Sequence, residues 1–114
     1  MDLEGRDYHL IITIVNKGSA EKAMRASQKA GAEGGTIMYG RGAGVHEKRR
    51  LLGVPIEPEK EILLTVIPSE RTQVVMAAIR EASRLDHPGN GIIFALRLDQ
   101  VAGICHLLEG ECPA

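Results

Sequence analysis

Two glycine-rich segments contain the residues whose types and spacing best suit ligand chemistry. Gly40-Arg41-Gly42-Ala43-Gly44 and Pro88-Gly89-Asn90-Gly91 each border a run of apolar residues. Because glycine has no Cβ, backbone N–H groups in such segments can approach phosphate oxygens, and Arg41 can add a charge-assisted hydrogen bond. Neither segment has the spacing of a P-loop or of a Rossmann fingerprint. The residues alone therefore leave two interpretations open, a phosphate cradle or plain tight turns.

Metal and thiol chemistry has weaker candidates. His46-Glu47 begins like a zinc-binding helix, but Arg50 stands where H-E-x-x-H requires its second histidine, so His46 reads as a solvated loop residue. Near the end of the chain, Cys105-His106 and Cys112 could hold a soft metal or form a redox-sensitive bridge, and free thiols are the alternative.

Catalytic chemistry has no clear residues in this sequence. His9 lies on a mostly apolar strand, where a hydrogen-bonded sheet residue is the more usual reading than a catalyst. The sequence shows no nucleophile beside a base and no pair of carboxylates at matching spacing. We therefore expect a protein that is not an enzyme.

Composition limits the function classes further. The 114 residues fit one domain, and 44% apolar with 25% charged residues is typical of globular proteins. Fourteen basic against fifteen acidic residues give a net charge of −1, which supplies no general field for a polyanion. With one Phe, two Tyr and no Trp, aromatic stacking platforms are nearly absent as well. Nucleic acid is therefore not an expected partner.

Membrane insertion is also not expected. The longest apolar run, Ile62 to Ile67, is far shorter than a membrane span, and the N-terminus carries acidic residues in place of a basic and then apolar leader. The two cysteines lack C-x-x-C spacing and are too few for a disulfide scaffold. These features predict a cytoplasmic protein.

The elements that must position the glycine segments follow from hydrophobic periodicity and turn residues. Four strands and two helices are predicted: Tyr8 to Val15, Ser19 to Ala30, Thr36 to Tyr39, Ile62 to Ile67, Ser69 to Asp86 and Ile92 to Leu96. Their order is that of a ferredoxin-like α+β fold, β-α-β-β-α-β, with a four-stranded antiparallel sheet and both helices on one face. A single domain over 1–114 is expected, with a long loop over 41–60 and a tail over 97–114.

One face of this predicted sheet has no cover. The first and third strands are apolar on both sides, so a lone domain would expose the face that the helices do not reach. Oligomerisation through the sheets is therefore expected.

The long loop combines charge with apolar residues and has no sustained period of either kind. Its basic run is Lys48, Arg49 and Arg50, and its apolar group is Leu51, Leu52, Val54 and Ile56. The basic run reads either as a solvated charge cluster or as a clamp on a ligand or an acidic partner. Long loops of this kind are usually functional or mobile.

Taken in order, the segment Gly40-Arg41-Gly42, the long loop, the strand from Ile62, and Gly89-Asn90-Gly91-Ile92 resemble the P-II signalling superfamily over roughly residues 8 to 104. The resemblance implies a homotrimer of the nitrogen-regulatory type that binds an adenine nucleotide, ATP, ADP or AMP, between subunits. The implied nucleotide-binding residues are Gly40, Arg41, Gly42, Leu64, Thr65, Val66, Gly89, Asn90, Gly91 and Ile92.

The same resemblance makes residues 41–60 the T-loop, which changes shape with ligand and contacts a target protein. The implied targets are a membrane transporter or an enzyme, and the implied contact residues are Lys48, Arg49, Arg50, Leu51, Leu52, Val54 and Ile56. The chain departs from typical members at Ile92, where a lysine is usual, and at Gly42, where a glutamine is usual.

Two other functions compete with this nucleotide sensor. A metal-tolerance trimer of the CutA-like type shares the fold and would use clustered His, Cys or carboxylate ligands. A small enzyme with its site under the long loop is the third hypothesis.

Overall fold

The computed structural model describes residues 7–44, 49–56 and 58–103. Six strands and two helices occur in this part of the chain, and a short 3₁₀ turn, Ser69–Arg71, leads into the second helix. In chain order they are β1 (Tyr8–Asn16), α1 (Ala20–Lys29), β2 (Thr36–Arg41), β3 (Arg49–Leu51), β4 (Val54–Ile56), β5 (Glu59–Pro68), α2 (Thr72–Ala82) and β6 (Gly91–Leu98).

The predicted ferredoxin-like fold is confirmed. Strands β2, β5, β1 and β6 form one antiparallel sheet in that order, so the first strand is central, as its apolar faces indicate. Its register is set by pairs such as Ile11 with Thr65 and Ile11 with Ala95.

Alternation along the strands divides the sheet into a helix-covered face and an open face. The covered face holds the core, in which Ile11 of β1 and Leu63 of β5 cluster with Val75 and Ile79 of α2 and with Ala23 of α1. Helix α1 presents Ala20, Ala23 and Ser27, all fully buried. These small residues let the helix axis approach the sheet closely, as the sequence predicts.

The open face is apolar in the single chain. Ile37 and Ile93 pack against the core, so their neighbours along β2 and β6 point to the opposite side. Four large apolar residues there are exposed, at relative accessibilities of 45%, 55%, 37% and 50%: Met38, Ile92, Phe94 and Leu96.

Part of the predicted long loop forms regular secondary structure in the described residues. Strands β3 and β4 form a separate two-stranded hairpin, joined by Leu52 and Gly53 at φ angles of 52° and 84°. Positive φ at both positions is the geometry of a type I′ turn, which usually contains Asn or Gly at the first of them. Three-residue strands are too short to show a period, so periodicity could not predict this hairpin.

Element ends also differ from the prediction. Strand β5 extends from Glu59 to Pro68, beyond its apolar run. Helix α2 begins only at Thr72 because the 3₁₀ turn follows Pro68, and it ends at Ala82, two residues before Arg84 adopts a left-handed φ of 52°.

Several predicted features can be compared with the described residues. His9 Nδ1 lies 2.7 Å from Thr72 Oγ1, as a hydrogen-bonded sheet histidine would. Within the described residues, no helix is long and apolar enough to cross a membrane, and no three His, Cys, Asp or Glu side chains group as metal ligands. His46, Lys48 and the tail residues Cys105, His106 and Cys112 lie outside the described residues.

Candidate functional site

Both glycine segments lie at the same end of the sheet, on its two opposite edges. Gly40 of β2 pairs with Lys60 of β5, Lys60 pairs with Asn16 of β1, and the neighbouring Val15 pairs with Gly91 of β6. We call these four positions, Gly40, Lys60, Asn16 and Gly91, the end row. Three strand spacings separate its edges, roughly 14 Å.

The interior of the end row is polar and hydrogen-bonded. Lys60 is only 7% exposed, and its ammonium donates to Asn16 Oδ1 at 2.6 Å. The other end of the same amide, Asn16 Nδ2, donates to the Gly89 carbonyl at 3.0 Å. A buried ammonium requires such an acceptor because desolvation without a hydrogen bond is costly. The two bonds connect the centre of the sheet to the second glycine segment.

The first glycine segment closes the base of the long loop. Gly42 N donates to the Pro58 carbonyl at 3.1 Å, directly beyond the pair formed by Arg41 and Glu59. Six residues line a groove of about 410 Å³ beside it: Lys17, Tyr39, Gly40, Arg41, Glu59 and Lys60. The loop base therefore borders a surface groove that contains three cationic side chains.

Lys17 and Glu59 form an exposed ion pair in this groove, with Nζ and Oε2 2.8 Å apart. Their hydrogen bond, and then the attraction between their charges, raises the pKa of Lys17 and lowers the pKa of Glu59. The pair thus engages Glu59, the carboxylate that lines the groove beside Arg41.

The second glycine segment is a tight turn with strict backbone demands. Gly89 and Gly91 adopt φ angles of +84° and +140°. A Cβ added at Gly91 would overlap the Ile14 carbonyl oxygen, whereas one added at Gly89 would meet nothing within 4 Å. Asn90 closes the turn by donating its backbone N–H to His87 and its side-chain Nδ2 to the Arg84 carbonyl. The open space at Gly89 leaves room for a ligand to approach the backbone there.

The structure does not bring all the predicted nucleotide-binding residues together in one chain. Leu64, Thr65 and Val66 lie in the middle of β5, several residues from the end row. Thr65 is fully buried on the helix side of the sheet, with its hydroxyl unpaired, whereas Leu64 and Val66 alternate onto the open face. Ile92 follows Gly91 on β6 and points to the open face, 55% exposed.

The predicted partner-binding residues lie mostly in the hairpin. Arg49, Arg50 and Leu51 form β3, and Val54 and Ile56 belong to β4. Leu52, at the tip, is 97% exposed. A fully exposed leucine in a left-handed turn is an unusual use of an apolar side chain.

Sequence reasoning missed the polar centre of the site. Asn16 and Lys17 read as turn residues after the first strand, and Lys60 reads as one member of an alternating charge run, Glu57 to Glu61. Their proximity depends on the pairing of β1 with β5, 44 residues away. The local signal in the sequence is weak: Lys60 extends the pattern of the strand that begins its apolar run at Ile62.

Comparison with known proteins finds a matching family model and matching solved structures. The family model described as "Nitrogen regulatory protein P-II" matches residues 8–106. A solved structure, the crystal structure of Arabidopsis thaliana PII bound to citrate, is 22% identical with a TM-score of 0.62, covering 83% of this chain and 80% of that one. At this identity the likeness concerns the fold. No curated protein matches the chain.

Proposed function

We propose, from the premise that this chain belongs to the nitrogen regulatory protein P-II family, that it senses an adenine nucleotide. The proposed unit is a homotrimer in the cytoplasm with a nucleotide in each cleft between subunits. Residues 41–60 then transmit the bound state to a target protein, a membrane transporter or an enzyme.

The observation that carries this proposal is the position of the two glycine segments. They share one sheet end but lie on opposite edges, with β5 and β1 between them. A single copy cannot close both around one nucleotide across roughly 14 Å of intervening sheet. A second copy whose β6 edge approaches the β2 edge of the first would place both segments on one ligand.

The open face supports assembly. Exposed Met38, Ile92, Phe94 and Leu96 add to the half-buried side chains of β1 and β5 on the same side. At about 25 cal/mol per Å², covering roughly 400 Å² of apolar surface would contribute about 10 kcal/mol per copy. Three such faces can close around a threefold axis, which leaves no apolar face in water.

The chemistry of the cleft favours phosphate. Glycine-turn N–H groups and the Arg41 guanidinium suit phosphate oxygens. Ile92 offers no charge where family members usually carry lysine, so a third phosphate should add little. AMP, ADP and ATP should therefore bind with similar affinity.

The hairpin supports the signalling role. Its tip exposes Leu52, and the adjoining basic run, Lys48 to Arg50, provides charge that can steer an acidic target surface towards it. Nucleotide binding at the loop base can shift the equilibrium between loop conformers. The size of that shift cannot exceed the difference in the nucleotide's affinity for the conformers.

Titration calorimetry with AMP, ADP and ATP, and separately with divalent metals, tests the proposal. Arg41→Ala should weaken nucleotide binding by about 1.5–3 kcal/mol as a lost charged hydrogen bond. Gly89→Val should abolish binding by filling the open space at the turn. Arg25→Ala is the matched control, because Arg25 is exposed on α1 and makes only a loose pair with Glu21 at 3.8 Å.

Four outcomes would contradict parts of this proposal. Wild-type affinity in both site variants would place the ligand elsewhere. Metal binding without nucleotide binding would favour the CutA-like alternative, and steady turnover of ATP would favour an enzyme. Light scattering that gives a stable monomer at micromolar concentration would exclude the shared cleft.

A further inference from the structure

We infer that the hairpin formed by β3 and β4 binds the surface of an anionic lipid bilayer, with its tip at Leu52 entering the headgroup region. The contact goes beyond the proposed nucleotide function, because it needs no ligand in the cleft. It rests on that proposal only for the number of hairpins, which a homotrimer sets at three. Lipid contact would also bring residues 41–60 to the leaflet that holds a transporter target.

The hairpin combines positive charge with aliphatic side chains. Residues 49–56 contain two arginines, four large aliphatic residues and no acidic residue, although the whole chain has a net charge of −1. Segments of this composition are typical of sites that bind anionic lipids, because the phosphates attract the charge and the acyl boundary accepts the apolar groups. The composition therefore indicates a surface that is both anionic and apolar.

Strand pairing orders these residues by their distance from the tip. The pair of Leu51 with Val54 adjoins the turn. Arg50 and then Arg49 follow on β3 as the distance from the turn increases. At about 3.3 Å per strand residue, the two arginine positions lie roughly 7 and 10 Å behind Leu52. Interfacial segments bury their apolar part by about 5–10 Å, so a hairpin that enters tip first brings both arginine positions to the lipid phosphates.

Leu52 is the residue whose placement most clearly indicates an apolar partner. Its side chain is 97% exposed, and its backbone adopts a left-handed φ of 52°, which favours Asn or Gly. In water, neither burial nor backbone preference favours a leucine at this position. In a bilayer surface the same side chain leaves water, which is favourable for an aliphatic group.

The chemistry of the hairpin favours lipid over protein as its direct contact. The residues that dominate protein interfaces are Trp, Tyr and Arg, whereas Leu is under-represented among them. Apart from the arginines, residues 49–56 have no side chain that donates or accepts a hydrogen bond. A protein target would therefore find few groups here for specific recognition, whereas lipid phosphates need only the arginines.

Threefold symmetry would multiply a contact that is weak for one copy. One apolar anchor alone gives only marginal, reversible membrane binding. In the proposed homotrimer, the axis places the three tips at the same height, so that one flat surface can meet all of them. The second and third contacts are then intramolecular, and effective concentration strengthens the attachment.

Sedimentation with protein-free vesicles tests the contact on the full chain without nucleotide. The wild type should bind vesicles of phosphatidylcholine with about 30% phosphatidylserine, and binding should fall at about 1 M salt because surface charges are then screened. Arg49→Gln together with Arg50→Gln should weaken binding by at least about 25-fold, which is about fivefold for each charge. Leu52→Asn should weaken binding by at least about tenfold.

Matched variants on the helices are the controls. Lys22→Gln together with Arg25→Gln removes two exposed charges from α1, and Val74→Asn removes a 60% exposed aliphatic side chain from α2. Both should bind the vesicles as the wild type does. Equal losses in the hairpin and helix variants would overturn the inference, as would equal binding to vesicles of phosphatidylcholine alone. A wild type that binds neither kind of vesicle would also overturn it and would leave a protein as the partner of the hairpin.

Fluorescence locates the contact, because the chain contains no tryptophan. Leu52→Trp places a single reporter at the tip, and Val74→Trp places one on α2. Phosphatidylserine vesicles should shift the emission of the first to the blue and leave the second unchanged. Unchanged emission at the tip would refute the insertion of the hairpin. Light scattering of the same protein tests the oligomer separately: a monomer would contradict the proposed homotrimer, while the vesicle measurements would still decide whether the hairpin binds lipid.

Discussion

Substituting Gly91 by alanine should destabilise the fold far more than the loss of one hydrogen atom suggests. The added Cβ would overlap the Ile14 carbonyl oxygen, inside the 3.0 Å that real Cβ contacts keep, and Val15 lies 3.2 Å away on the same side. Neither atom can yield, because Ile14 and Val15 belong to the central strand and pair with both neighbours. The φ of +140° adds strain of about 1–3 kcal/mol.

The total should reach about 3–5 kcal/mol, which is a large part of the stability of a small domain. Urea unfolding monitored by circular dichroism measures this change, at one fixed protein concentration because an oligomer's stability depends on it. Gly89→Ala is the control: it also has a positive φ but open space around it, so it should cost only about 1 kcal/mol. A loss of less than about 1 kcal/mol in Gly91→Ala would refute the packing argument.

Three further predictions concern the loop and its base. Leu52→Asn should stabilise the hairpin by roughly 1 kcal/mol, because Asn tolerates a left-handed φ. The same change should weaken target binding, because it removes the exposed leucine. Nuclear magnetic resonance shifts of Gly53 measure the first effect and pull-down of the target measures the second. Lys17→Met should raise the pKa of Glu59 towards its ordinary value in a carboxyl titration. Because the fold lowers the pKa of Glu59, the contribution of the pair is present above the unfolded pKa and is lost as pH falls through the folded pKa. The difference in free energy of unfolding between the wild type and Lys17→Met should therefore be present at neutral pH and vanish in acid. Deleting residues 47–57 should leave the proposed trimer and its melting nearly intact and remove target binding. A loss of that trimer in light scattering would make the loop a structural element.

The sequence was sufficient for the fold because its strongest patterns are local. Runs such as Tyr8 to Val15 and Ile62 to Ile67 predict strands, and a stripe of small residues predicts the close approach of α1. The hairpin was not predicted because strands of three residues show no period and because Leu52 occupies a turn position that usually takes Asn or Gly. Propensity therefore opposed the structure that forms.

The site was only half predictable for a different reason. The glycine segments are visible as sequence patterns, and the register of the strands then places both at one sheet end. The hydrogen bond between Asn16 and Lys60 could not be predicted from the sequence, because only the strand register brings these positions, 44 residues apart, together. Thr65 was predicted to bind nucleotide, but strand alternation buries its side chain under the helices, although its neighbours in the sequence lie on the open face.

The placement of the two glycine segments on opposite sheet edges has a consequence for mixed assemblies. If each cleft takes one segment from one copy and the other segment from its neighbour, a defect at Arg41 and a defect at Gly89 are complementary when they are carried by different copies. A three-membered ring that contains both kinds of copy always has one cleft in which the unsubstituted Arg41 of one copy meets the unsubstituted Gly89 of the next. Mixing two inactive variants would thus restore part of the binding. A substitution in one copy would also impair a cleft that the neighbouring copy shares.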